Sequence, residues 1–81
     1  MIDALKQIRE IVSDVTQMPV EAISEKSGAS NVYGWDSVAQ LNIIVAVETE
    51  FGVTFTGDEI HSLNSVGQIL EELRKSAIPA M

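Results

Sequence analysis

Residues 34–52 read GWDSVAQLNIIVAVETEFG. An acidic residue and a serine adjoin where loop-like sequence gives way to a long apolar run. The stretch IIVAV at 43–47 suits a buried strand as well as a helix. Length favours a helix, and so do its two ends. Asp36 is a good N-cap because its carboxylate can accept the free amide protons of a first turn. Gly52 is a good stop. Positions 38, 41, 44/45 and 48 recur at helical spacing, so the reading is a helix from Ser37 to about Phe51.

The rest of the chain falls into place around that helix. Ile2, Leu5, Ile8, Val12 and Val15 recur every three or four residues and predict a first helix from about Ile2 to Thr16, with Asp3, Lys6, Arg9, Glu10 and Asp14 on the other face. Pro19 is its expected stop. Residues 17–35 read as a long loop, uncommon in so small a chain. It must therefore be pinned, and Val20, Ile23, Val32, Tyr33 and Trp35 are the available anchors. TGDE at 56–59 is a capping box that predicts a short helix, and SVGQ at 65–68 repeats the device for a last helix running to about Ser76, with Pro79 beyond it. Helices this short hold only by packing together. The expectation is an all-α, small four-helix bundle of three longer helices and one short helix, forming one domain over residues 1–81.

The chain has no cysteine, which excludes disulfides and thiolate metal sites. No apolar run approaches the roughly 20 residues that a membrane span needs, and the N-terminus lacks the pattern of a signal peptide. A cytoplasmic monomer is expected. The net charge is −7, and its distribution is informative. Between Lys26 and Arg74 there is no lysine or arginine, while Asp36, Glu48, Glu50, Asp58, Glu59, Glu71 and Glu72 all lie there. Such a chain repels nucleic acid and anionic membranes and attracts partners with basic patches.

Ser37 is the residue with a chemical question attached. In the first turn of a helix its hydroxyl stands beside free backbone amides and the positive end of the helix dipole, a place that favours a phosphate. The chain has eight serines, however, and Thr56 and Ser65 only cap, so spacing alone favours a capping role for the Asp36-Ser37 pair. Catalysis is poorly supported. His61 is the only histidine, and no GxSxG motif or second base accompanies Ser37. One histidine and no cysteine exclude the usual zinc ligand sets, and no glycine-rich phosphate loop is present.

The stretch GWDSVAQLNIIVAVETEFGVTF resembles the core of the acyl carrier and peptidyl carrier protein family, in which an Asp-Ser-Leu type motif opens the second helix. Here the matching positions are Asp36, Ser37, Leu41, Ile43 to Val47, ETEF at 48–51 and Gly52. TGDEIHSLNSVGQILEEL resembles the family's short third and final helices, so nearly the whole chain is covered. The resemblance implies a carrier, not an enzyme. A phosphopantetheinyl transferase would use coenzyme A to place a 4′-phosphopantetheine arm on Ser37, and the arm would carry an acyl or aminoacyl group as a thioester. It further implies loading and synthase enzymes docking on Asp36, Val38, Asn42, Glu48, Asp58 and Glu59 through basic or apolar patches. An acyl chain, if sheltered, would be lined by Leu41, Ile44, Ile60, Leu63 and Val66.

The chain departs from the family pattern in ways that narrow this expectation. Val38 stands where Leu is usual, and Ala39, Asn42 and Thr49 stand where fatty-acid carriers often have acidic residues. Docking is therefore expected to rely less on charge and more on apolar contact. Together with Trp35 before the Asp-Ser pair, this favours a specialised polyketide, nonribosomal peptide or surface-glycan pathway over general fatty-acid synthesis. Trp35 itself reads first as a loop anchor packed on the bundle. The competing reading of the whole chain is an acidic helical interaction module in which Ser37 merely follows a cap; a small hydrolase is the third.

Overall fold

A computed structural model describes residues 3–77, with α1 at Ala4–Thr16, α2 at Ser37–Phe51, α3 at Gly57–Ser62 and α4 at Val66–Ala77. Ile2 and Pro79, which the sequence reading assigned to the first helix and to the end of the last, lie outside the described residues. The all-α four-helix expectation holds, with three longer helices and one short one.

Asp3 is not part of α1 but its cap, accepting the Lys6 amide at 3.2 Å. The helix ends before Pro19. Gln17 takes the left-handed conformation (φ 65°) and donates its amide to the Ser13 carbonyl at 2.8 Å. Pro19 instead leads into a single 3-10 turn, Val20–Ala22, so the connection after α1 is not structureless. Arg9 reaches out of α1 and holds this turn, donating to the Ile23 carbonyl at 2.6 Å and the Val20 carbonyl at 3.0 Å.

The loop is held at its middle by a capping interaction that periodicity could not reveal. The first amides of α4, on Val66 and Gly67, donate to the loop carbonyls of Ser27 and Glu25, each at 2.9 Å. These amides have no partner within their own helix, so the loop acts as the cap. Ser65 supplies part of the expected box: its hydroxyl accepts the Gln68 amide at 3.2 Å, but Gln68 Oε1 accepts from that same hydroxyl. Thr56 and Glu59 complete theirs in full. Gly28 lies against this junction so closely that a Cβ there would sit 2.7 Å from the Asn64 carbonyl oxygen and 2.9 Å from Ser65 Cβ. Gly28→Ala is therefore expected to lower stability by about 1–3 kcal/mol, because backbone has to give way. A urea midpoint equal to that of the wild type would refute this packing.

Of the proposed anchors, Ile23 and Trp35 are buried and Val20 and Val32 half-buried, but Tyr33 is exposed and pins nothing. Val32 and Trp35 turn inward on either side of it. Gly34, at φ 90°, lies against the Thr16 carbonyl.

Ile8, Val12, Ile43, Ile44, Val47, Val66, Ile69, Leu70 and Leu73 form the helical part of the core, with Phe55 and Leu63 closing it from the connections. α1 packs on both α2 and α4, and α3 rests on α2. The periodic positions 38, 41, 44/45 and 48, which marked α2 as a helix, do not form its buried face: the residues turned inward are Ala39, Gln40, Ile43, Ile44 and Val47. Val38, Leu41 and Val45 are 69%, 49% and 55% exposed. The helix is apolar nearly all round, so either stripe could have been buried, and packing against α1 and α3 chose.

Candidate functional site at the start of α2

Ser37 is the first residue of α2 and is exposed. Asp36 caps the helix with extended backbone (φ −102°, ψ −168°), its carboxylate accepting the Ala39 amide at 2.9 Å and its carbonyl the Gln40 amide at 2.8 Å. The Ser37 and Val38 amides precede any possible intrahelical acceptor, so partial positive charge gathers around the Ser37 hydroxyl. Asp36→Ala is expected to cost about 1 kcal/mol by removing the cap. An unchanged denaturation midpoint would show the cap to be idle.

Beside Ser37 opens a cavity of about 400 Å³, walled by Ala29, Trp35, Asp36, Ser37, Gln40, Leu41, Ile60, His61 and Asn64. α2 supplies one wall, α3 another and the long loop the third. His61 thus shares a cavity with Ser37, but among the described residues no hydrogen bond joins the two side chains. No group of three or more metal-ligating side chains forms among the described residues.

The feature that sequence reasoning missed is Gln40. It is 8% exposed and spans from the loop to α3. Its Oε1 accepts the Trp35 indole N–H at 2.7 Å, and its Nε2 donates to the carbonyls of Ile60 and Leu63, both at 2.8 Å. All the polar capacity of Trp35 and most of that of Gln40 is thereby used in a buried place. Nothing in the sequence marks it, because a glutamine in a helix is usually exposed. Trp35, 4% exposed, is the anchor the sequence suggested, held by polar as well as apolar contact.

The other site residues divide by surroundings. Asp36, Val38, Asn42 and Asp58 are exposed. Glu48 is half-buried and braces the turn after α2, accepting the Phe55 amide at 2.8 Å. Glu59 is half-buried and occupied in the α3 cap; the Thr56 N–H bond first, and then the Glu72 carboxyl, holds it below the ordinary carboxylate range. The hydrogen bond with Glu59 raises Glu72 in turn. Of the five residues named for an acyl chain, Leu41 and Ile60 line the cavity, whereas Ile44, Leu63 and Val66 belong to the closed core.

An exposed serine hydroxyl at a helix N-terminus, beside an open cavity, leaves room for a phosphate-linked group and offers a favourable field for its anion. Residues 6–73 match the family model described as "Phosphopantetheine attachment site". Among curated relatives, "Acyl carrier protein 3" of Ralstonia nicotianae is 30% identical over 66 residues, 82% of this chain and 76% of its own. An "Acyl carrier protein" of Sinorhizobium fredii is 29% identical, covering 94% and 97% respectively. Another, of Acidothermus cellulolyticus, is 24% identical over 96% of this chain and 93% of its own. The chain belongs to the acyl carrier protein family, whose cofactor is phosphopantetheine; it is a carrier and not an enzyme.

Proposed function

We propose that Ser37 bears the 4′-phosphopantetheine arm and that the chain shuttles an acyl or aminoacyl group between the enzymes of a specialised pathway of the polyketide, nonribosomal peptide or surface-glycan kind. The observation that carries the attachment site is the exposed Ser37 hydroxyl at the start of α2, flanked by the Asp36 cap and opening on the cavity. A phosphopantetheinyl transferase supplies the arm from coenzyme A. The Ser37 oxygen forms the new bond to phosphorus as the bond to adenosine 3′,5′-bisphosphate breaks, and the hydroxyl proton passes to a base on the transferase. The terminal thiol of the arm supplies the thioester chemistry, so the protein itself needs no cysteine. This chain's own part is to present the hydroxyl, to solvate the phosphodiester with first-turn amides, and to offer a docking face.

That face supports the specialised reading. Val38, Leu41 and Val45 form an exposed apolar line along α2, with Asn42 beside it, and Asp36 and Asp58 add exposed negative charge on α2's cap and on α3. Loading and synthase enzymes with an apolar patch rimmed by basic residues fit it. No helix among the described residues is long and apolar enough to cross a membrane, and we place the carrier in the cytoplasm as a monomer. The test is intact mass before and after incubation with coenzyme A, Mg²⁺ and a broad-specificity transferase. A gain of one arm supports the reading. No gain by a folded, initially unmodified protein leaves an acidic interaction module in its place.

A further inference from the structure

We infer that Gln40 bars the inside of the bundle to an alkyl chain, so that the groups this carrier suits are short or hydrogen-bonding acyl groups held no deeper than the cavity beside Ser37. The inference rests on the carrier reading above and names its substrate class. The cavity runs between α2, α3 and the loop, and Gln40 is part of its wall. The residues that an invading chain would have to meet next are closed: Ile44, one turn further along the same face of α2, is fully buried, as is Val66, and Leu63 is nearly so.

Between cavity and core lies the side chain of Gln40, tied to the Trp35 indole on one side and to the Ile60 and Leu63 carbonyls on the other. An apolar side chain in this place could turn aside at little cost. Gln40 cannot, because its displacement leaves an indole N–H, two carbonyls and its own amide without partners, and an alkyl chain offers none in exchange. Two of these bonds, to the Ile60 and Leu63 carbonyls, tie α3 to α2 through its last turn and its C-cap residue, opposing the separation of the helices that would widen the gap. The cavity in front of the bar is mixed in character, with Asp36, Gln40, His61 and Asn64 among its walls, and suits a group that itself forms hydrogen bonds.

The test loads the wild-type protein with acetyl- or octanoyl-phosphopantetheine from the corresponding coenzyme A thioesters, confirms each by mass, and compares Tm and the methyl resonances of Ile44, Leu63 and Val66. The two wild-type forms are expected to melt within roughly 2 °C of each other and to share their core methyl shifts. In Gln40→Met, which keeps the length of the side chain and removes its polar bonds, the octanoyl form is expected to melt above the acetyl form by on the order of 5–10 °C, with the core methyls displaced. A loss of stability alone lowers both forms equally, so the difference between chain lengths isolates the barrier. Should Gln40→Met fail to fold, Trp35→Phe removes the indole donor and loosens the same bar.

A wild-type octanoyl form that melts well above the acetyl form, with shifted Ile44 and Val66 methyls, would overturn the inference while leaving the carrier reading intact. Chain lengths that remain indistinguishable in the variant would overturn the role of Gln40. If no arm is gained at all, the mass reports it first, and the carrier reading falls together with this inference.

Discussion

Ser37→Ala is expected to gain no mass from coenzyme A and the transferase while melting within about 2 °C of the wild type, since an exposed first-turn side chain contributes well under ~1 kcal/mol. The separation of the two effects is the point. The side chain lies outside the core, and Asp36, not Ser37, provides the cap. Removing the hydroxyl therefore takes away the only atom that can form the phosphodiester at this site and leaves the helix as it was. A variant that still gains an arm would move the attachment to another hydroxyl. A variant that loses its fold would show that Ser37 is structural, against its exposure.

The largest effect on stability is expected from Ile44→Ala, and its informative partner is Leu41→Ala, three residues earlier on the same helix. Ile44 is fully buried among the core side chains of α1, α2 and α4, so truncation leaves a cavity and costs about 2–5 kcal/mol. Total stability at this size is roughly 0.05–0.15 kcal/mol per residue, so such a loss takes a large share of it. Leu41 is half out of the protein, and its truncation is expected to cost about 1 kcal/mol, in proportion to the area it buries. Urea denaturation separates the two. If Leu41→Ala proves as costly as Ile44→Ala, then α2 turns its 38, 41, 45 line inward after all and the exposed apolar line does not exist.

That pair also marks how far the sequence could be read. The ends of the helices were legible, because caps and stops are chemistry between near neighbours. Asp36 and Gly52 bound α2 as expected, and Thr56 with Glu59 starts α3. Asp3 and Gln17 were missed for related reasons. Asp3 was read as part of a helical face rather than as a cap, and a non-glycine residue in the left-handed conformation leaves no mark in the sequence. The orientation of α2 was not legible, since a helix apolar nearly all round has no single inward face. The anchoring role assigned to Tyr33 failed similarly: an aromatic residue in a loop can point either way, and this one points outward.

By itself the sequence determined the helical class, the limits of three of the helices to within a residue or two, and the placing of Ser37 at a helix start behind an acidic cap. All of these depend on residues within about one helical turn of each other. Tertiary structure alone decided which line of α2 faces solvent, that the carbonyls of Glu25 and Ser27 cap a helix far along the chain, and that Gln40 ties Trp35 to the end of α3. Each joins groups distant in sequence. A buried amide takes whichever partner the folded backbone brings within reach, and that is settled by how the helices pack together and not by the identity of its neighbours in sequence.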